Sequence, residues 1–268
     1  MDLELKNKHI LVTGGAGGIG QSIVSTLAQE GSNVSLHYRT SEEQALKIQE
    51  KNSKEQIFTI YADLTEEADV HKLFRDAIGK FGRIDGLVVN AGIWSPDSAL
   101  TSELTLERWE KTIKVNLTGS FLCVKEFFIN LKNHSDDNGS IVLIGSTAGL
   151  FGEAGYADYS ATKAALMYGL VKTWKNEIVQ YASLGRVNTV APGWVKTPMA
   201  EESLRDKEGF KKILQTIPLK KIAYPVDIAA LVTFLLSDKV AGHISGETIM
   251  VHGGMEGRLL FDKNEIDL

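Results

Sequence analysis

Short apolar runs alternate with stretches of helical periodicity along this chain, and that alternation limits its fold more than any other feature. Residues 8–13 (Lys-His-Ile-Leu-Val-Thr) form the first run, and helical patterns follow at Gly18–Glu30, Glu42–Lys51 and Glu66–Lys80. Between and after them lie the strand-like runs Val34–Tyr38, Gln56–Ala62 and Leu87–Asn90. Further on come a long helix Thr105–Leu131, the strand Ser140–Ile144 and a helix Ala157–Gln180 interrupted at Gly169. Strand Arg186–Val190, a polar helical stretch 198–216, helix Val226–Leu236 and strand Thr248–Val251 complete the series. Strands separated by helices pair in parallel, and a parallel sheet must be covered on both faces. The expectation is therefore an α/β chain with a doubly wound parallel sheet of about seven strands. No linker, repeat or low-complexity segment divides the 268 residues, so one domain spanning 1–268 is expected. Ligands of such sheets sit beyond the carboxyl ends of the strands, where the strand order reverses.

Composition narrows the partners. A net charge of −5 without a basic run argues against nucleic acid. No apolar stretch is long enough to cross a bilayer, and the charged start Met-Asp-Leu-Glu-Leu-Lys-Asn-Lys does not read as a signal peptide. Cys123 is the only cysteine, which rules out an intramolecular disulfide and points to a reducing, cytoplasmic setting. The six histidines are scattered, so no metal site is expected. Those in or near strands, His37, His243 and His252, read as ordinary hydrogen-bonded residues.

The first run ends in Thr13-Gly-Gly-Ala-Gly-Gly-Ile-Gly20. It fits Gly15-x-Gly17-x-x-Gly20 and also the wider Gly14-x-x-x-Gly18-x-Gly20. Either register puts bare backbone before a helix N-terminus, whose free amides and positive dipole end suit a pyrophosphate. Strand two ends His37-Tyr38-Arg39-Thr40-Ser41, with no carboxylate before Glu42 to hold a ribose hydroxyl. Arg39 stands there instead, and its guanidinium fork suits a 2′-phosphate, so NADP(H) is favoured and NAD(H) remains possible. Strands three and four end in Asp63-Leu64 and Asn90-Ala91-Gly92. Asp63 reads either as a cap for the next helix or as an acceptor for adenine, and the small residues of the second motif let backbone approach a ligand.

Tyr159 and Lys163 are four residues apart in a helical segment, so they share a face and can reach one pocket. A neighbouring ammonium lowers a phenol from its usual value of about 10 toward neutrality, as general acid–base work requires. Taken with Thr13–Gly20, Asn90-Ala91-Gly92, Asn116, Ser146 and Pro192-Gly193 in this order, the chain resembles the short-chain dehydrogenases/reductases of about 250 residues, from Leu5 to about Gly254. That resemblance implies a single-domain Rossmann-type sheet of order 3-2-1-4-5-6-7. It implies that Tyr159 is the general acid in reduction and the base in oxidation. Lys163 would hold the nicotinamide ribose and lower the phenol's pKa; Ser146 would bind the substrate oxygen; Asn116 would help hold a water linking Lys163 to solvent. Gly14, Gly17, Gly18, Ile19 and Gly20 would cradle the diphosphate. Asp63, Leu64, Asn90, Ala91 and Gly92 would lie along the adenosine side, with Asp63 and Asn90 contacting it. Pro192, Gly193, Val195 and Thr197 would hold the nicotinamide carboxamide and phosphate region. Two departures stand out: Gly17 replaces the Arg or Lys of many NADP-preferring members, and Asn176 precedes Glu177 where acyl-carrier-protein reductases often have a basic residue.

Substrate contacts are expected from Trp94, the loop Ala148–Tyr156 and the segment 194–217, with Trp94, Phe151 and Trp194 as an apolar wall. The stretch 198–216, with Glu201-Glu202 and Lys211-Lys212, reads equally as a lid or as a solvated helix, and the tail 255–268 has no assigned role. The resemblance also implies a homotetramer through the two long helices, with a dimer next. Three functions follow: an NADPH-dependent reductase of ketones or 3-oxoacyl thioesters acting on a small carbonyl or alcohol, a glucose-type sugar dehydrogenase, or a non-catalytic NADP(H) sensor or scaffold.

Overall fold

A computed structural model describes residues 2–52, 54–134, 136–201, 205–260 and 262–266. Its centre is a parallel sheet of β1 (His9–Val12), β2 (Asn33–Tyr38), β3 (Ile57–Tyr61), β4 (Gly86–Val89), β5 (Ser140–Ile144), β6 (Arg186–Pro192) and β7 (Thr248–Val251). The strand order is β3-β2-β1-β4-β5-β6-β7, as expected, and every pairing is parallel. The chain builds outward from β1 to β3, then crosses back to place β4 on the other side of β1. The crevice between β1 and β4 is where strand order reverses.

Alternation along the strands divides the core into two layers. Leu11, Leu87, Val89, Ile141, Leu143 and Val187 face one side of the sheet, where α3 (Glu67–Phe81) brings Val70, Leu73 and Phe74. Ile10, Val12, Val88, Val142, Ile144 and Val190 face the other, against Ile23, Val24 and Leu27 of α1 (Gly18–Gln29). Period-2 side-chain alternation in strands buried on both faces explains why the runs are continuously apolar rather than alternating with polar residues. The short helix α2 (Glu42–Lys51) covers the edge beside β2 and β3 through Ala45 and Ile48.

The two long helices differ from expectation in one respect. The first runs as α4 (Leu106–Ile113), a π-helical turn (Lys114–Thr118) and α5 (Gly119–Asn133). After the short α6 (Thr147–Phe151), the second runs as α7 (Ala157–Ala164), a π-helical turn (Ala165–Leu170) and α8 (Val171–Glu177), ending in a 3-10 turn (Ile178–Gln180). The expected break at Gly169 is therefore absent: the helix absorbs one residue by widening, a device common near functional sites.

Among the described residues of the stretch 198–216, a 3-10 turn (Pro198–Ala200) and α9 (Lys207–Leu214) are interrupted at Asp206 rather than forming one continuous helix, and Glu202 lies outside the described residues. Asp206 caps α9 by accepting from the amides of Glu208 and Gly209. Leu214 and Ile217 bury against Ile266 of the tail, with Phe210, Ile213, Ile222 and Met255 around them. The tail thus gains a role: Glu256 and Leu260 amides donate to the carbonyls of Thr216 and Gln215, fixing it across the end of α9. Finally α10 (Pro225–Leu236) packs Ile228, Val232 and Leu235 beside α1, and α11 (Asp238–Ala241) leads toward β7.

Candidate active site

The carboxyl ends of β1 to β6 open into one cleft of about 450 Å³. Its nucleotide end is built from the glycine turn. Gly14 has a φ of 62°, and a side-chain carbon there would come within 2.9 Å of the Ala91 backbone. A carbon on Gly18 would strike Thr197 at 2.7 Å, and one on Gly20 would lie 2.2 Å from the Gly14 carbonyl. Only glycine allows these approaches. The turn is also hung from its neighbours: the Gly14 amide donates to His37 Nδ1 at 3.0 Å, and the Gly15 amide donates to the His37 carbonyl at 2.9 Å. His37 Nε2 in turn donates to the Ala62 carbonyl at 3.0 Å, so the ring is neutral, and burial pushes its pKa down to about 4.

Asn90 serves this turn as well. Its side-chain amide donates to the carbonyls of Thr13 and Gly14, both at 3.0 Å, while the amides of residues 90 and 91 donate to Thr13 Oγ1. Asn90 borders the cleft as expected, and its side chain also buckles β1 to β4. Arg39 reaches the same end but is bonded to Asp63, Nε to Oδ2 at 3.1 Å, with half of its side chain exposed. Asp63 also accepts from the Thr65 amide and hydroxyl, so it shapes the turn into α3 whose N-cap is Glu66. The first amides of α1 point toward this end, and no acidic residue occupies that first turn. A dinucleotide diphosphate fits this cradle.

At the other end Ser146, Tyr159 and Lys163 converge. Ser146 caps α6, its Oγ accepting from the Ala148 amide at 3.1 Å, and it hydrogen-bonds the Tyr159 phenol. Lys163 Nζ donates to the Ile144 carbonyl at 2.8 Å and stands 5.6 Å from the centre of the Tyr159 ring. The electrostatics depart from the sequence reading. Burial pushes Tyr159 up to about 12, the Ser146 hydrogen bond pulls the other way, and the charge of Glu153 adds to the rise. Burial also brings Lys163 down to about 8. Desolvation disfavours the charged form of both groups, and here it outweighs the ammonium's pull on the phenol. At neutral pH the phenol is a protonated donor.

Asn116 does not line the cleft. It sits in the first π-helical turn, 1% exposed, with Oδ1 accepting from the Ile93 amide at 2.8 Å and Nδ2 donating to the Ile93 carbonyl at 2.9 Å. Its own carbonyl accepts from Ser120 Oγ at 2.6 Å. It therefore fixes the strand of backbone between Gly92 and Trp94. Gly20 also lies behind the wall. Every other expected residue, from Gly14, Gly17, Gly18 and Ile19 through Leu64, Ala91 and Gly92 to Pro192, Gly193, Val195 and Thr197, borders the cleft. Trp94 and Trp194 do so too, whereas Phe151 is 44% exposed and turned away.

Within the two segments expected to contact substrate, Glu153 and Met199 line the cleft, and Tyr156 stacks on Trp94 with ring centres 5.0 Å apart; the sequence reading names the segments but not these side chains. Behind them Arg108 binds Asp158 through Nε at 3.1 Å and Nη2 at 3.3 Å, the Asp97 carbonyl at 2.6 Å and the Gly155 carbonyl at 3.3 Å. Asp158 is 1% exposed and also accepts from Thr112 Oγ1 at 2.8 Å. No sequence signal marks this pair, because residues 108 and 158 are separated by the whole of β5. Among the described residues no group of three or more His, Cys, Asp or Glu is placed to hold a metal ion, and no helix is long and apolar enough to cross a membrane.

The comparisons with known proteins agree with this geometry. The model of the short chain dehydrogenase family matches residues 8–208. The 3-oxoacyl-(acyl-carrier-protein) reductase FabG of Staphylococcus epidermidis is 37% identical over 255 residues, covering 93% of this chain and 99% of that protein. The corresponding reductase of Synechocystis is 38% identical over 250 residues, covering 91% and 95%. Among solved structures, a short-chain dehydrogenase/reductase described as a glucose/ribitol dehydrogenase from Brucella melitensis superposes with a TM-score of 0.86 at 33% identity, covering 96% of this chain and all of that one. A short-chain dehydrogenase/reductase from Serratia marcescens gives 0.84 at 31% identity, covering 93% and 98%. With the sheet order, the glycine cradle and this likeness over nearly its whole length, the chain belongs to the short-chain dehydrogenase/reductase family of oxidoreductases.

Proposed function

We propose that this protein is an NADPH-dependent carbonyl reductase whose leading substrate class is the 3-oxoacyl thioester, and that residues 1–268 work as one dinucleotide-binding and catalytic unit. The observation that carries the reading is the meeting of Ser146, Tyr159 and Lys163 in the same cleft as the glycine cradle. The relatives named as 3-oxoacyl reductases, which the chain covers almost completely, support the substrate class.

When bound, the nicotinamide cofactor supplies a hydride to the carbonyl carbon. The chain supplies the rest. Amides at the start of α1 and the bare backbone of Gly14 and Gly18 would hold the diphosphate, and the half-exposed Arg39, paired with Asp63 here, would take the 2′-phosphate. Ser146 and Tyr159 direct two donors at the carbonyl oxygen as negative charge grows there; preorganised donors of this kind contribute about 3 kcal/mol each. Tyr159 then passes its proton to that oxygen. Its high pKa keeps the proton in place until the stronger base, the nascent alkoxide, appears. Lys163 carries the positive charge that steadies the resulting phenolate and offers donors to ribose hydroxyls.

A homotetramer, with a dimer as the next choice, and a cytoplasmic setting complete the proposal; the exposed apolar residues on the long helices and the lone buried Cys123 support them. The test is a carbonyl panel including acetoacetyl thioester, run with NADPH and NADH on the wild type and Tyr159→Phe. The wild type should consume NADPH in preference to NADH, and the variant should lose about a hundredfold or more in kcat while still binding NADPH. No turnover in the wild type, or a variant keeping more than about a tenth of the rate, contradicts the reading.

A further inference from the structure

Glu153 lies between α6 and α7 on a short loop whose backbone is fixed from several sides. Gly152 and Gly155 flank it with φ of 72° and 85°, a region open to glycine. The Glu153 carbonyl accepts from the Tyr156 amide, and the Gly155 carbonyl accepts both from the Ala99 amide at 3.0 Å and from Arg108. The loop is therefore preset, and with it the side chain, which borders the cleft alongside Ser146, Tyr159, Trp94, Trp194 and Met199.

The carboxyl has no hydrogen bond or ion pair with any described residue, and burial alone acts on it, holding it above the ordinary carboxylate range. Among the described residues the buried carboxylates Asp158 and Glu126 are both partnered, Asp158 by Arg108 and Thr112, Glu126 by His71. Glu153 is half-buried, and withdrawing an unpaired carboxyl even partly from water is unfavourable, so a loop that holds one in the cleft lining suits a partner that arrives with the ligand. Glu153 lines the same cleft as Ser146 and Tyr159, so that partner belongs to the carbon skeleton of a ligand whose carbonyl meets those two hydroxyls.

We propose that Glu153 is a specificity-determining residue that hydrogen-bonds a hydroxyl group adjacent to the reacting carbonyl, so that the cleft also reduces hydroxyketones and does so in preference to their unsubstituted analogues. This rests on the carbonyl-reductase reading and extends it to a second substrate class. A hydroxyl suits the site better than an ammonium. It can pair with a carboxyl in either protonation state, acting as donor to the ionised form or acceptor from the neutral one. An ammonium would share the cleft with the Lys163 charge. Trp94, backed by the stacked Tyr156 ring, and Trp194 line the same cleft and supply aromatic surface for the C–H edges of a hydroxylated chain.

The test uses the full chain with NADPH and three substrates of matched shape: 1-hydroxy-2-butanone, 3-pentanone and 1-amino-2-butanone, with acetoacetyl thioester as reference. The wild type should favour the hydroxyketone over 3-pentanone by at least about tenfold in kcat/KM, since a site that pairs a hydroxyl rejects the analogue lacking it. Glu153→Leu should bring that ratio to about one or below it, and Glu153→Gln should keep part of it, because the amide still pairs with a hydroxyl. Circular dichroism and NADPH binding confirm that each variant is folded. A ratio unchanged in Glu153→Leu, a wild type that prefers the aminoketone, or equal loss on all substrates overturns the assignment. Turnover of the thioester without any hydroxyl preference sinks this inference alone. Failure with every carbonyl sinks the reductase reading and takes this inference with it.

Discussion

At Lys163 a buried ammonium donates to the Ile144 carbonyl, and burial brings its pKa down to about 8 against 10.5 in an unfolded chain. Below pH 8 both states carry the proton and the native state bears the cost of burying it. Between pH 8 and 10.5 the unfolded chain holds more protons than the native one, so stability rises with pH. The wild type should therefore gain about 3 kcal/mol relative to Lys163→Met across that window, read from urea unfolding at several pH values. A flat difference would show that the amine is solvated in the native state. The Tyr159–Lys163 spacing was legible in the sequence because both residues lie on one helix and period alone sets their meeting. The balance of forces on the phenol was not legible, since desolvation depends on what surrounds it. Likewise Asn90 and Asn116 were recognised as site residues by their place in a motif. Their inward roles depend on partners in other segments, Asn90 with residues 13 and 14 and Asn116 with residue 93, and no local pattern records those pairings.

The elements most faithful to the sequence are the strands and the helices with a clear apolar stripe: α2, β5 and β7 have the expected bounds, and β6 runs two residues further, to Pro192. The widened turns at Lys114–Thr118 and Ala165–Leu170 were read as plain helix and as a glycine break, because a single inserted residue leaves the hydrophobic period nearly intact. Between elements, Arg108 ties α4, the 97–99 segment, the Gly155 turn and the start of α7 into one rim. Removing the arginine leaves Asp158 buried and uncompensated, so Arg108→Leu should lose about 3–5 kcal/mol of stability and most of the turnover. Asp158→Leu in the same background should recover a good part of the stability, because the pair matters more as a specifier of geometry than as net attraction. Additive losses in the double-mutant cycle would mean that the two residues act separately.

At the scale of the molecule, the two long helices present Phe121, Ile129, Tyr168 and Val179 to solvent, and the turn after the second adds Tyr181 and Leu184, each at least 39% exposed. A chain that keeps so many large apolar groups outside has surface to bury against another copy. Light scattering should give a mass four times 29.4 kDa, and Phe121→Glu with Tyr168→Glu should lower it to a dimer or monomer. A monomeric wild type, or a double variant of undiminished mass, would refute the tetramer. The sheet order that brings six strand ends to one cleft was foreseen through the family resemblance, whereas the alternation of strands and helices by itself gave only a parallel sheet covered on both faces. The bracing of α9 by the tail was not, because Ile266 lies far along the chain from Leu214 and Ile217 and no local period links them. The suspension of the glycine turn from His37 reaches past this one molecule. Residues 13–20 are no portable cassette: two of their amides are anchored to residue 37 of the neighbouring strand. Anyone grafting the loop onto another scaffold would have to transplant that imidazole too, in its neutral tautomer, or the grafted backbone would lose its template.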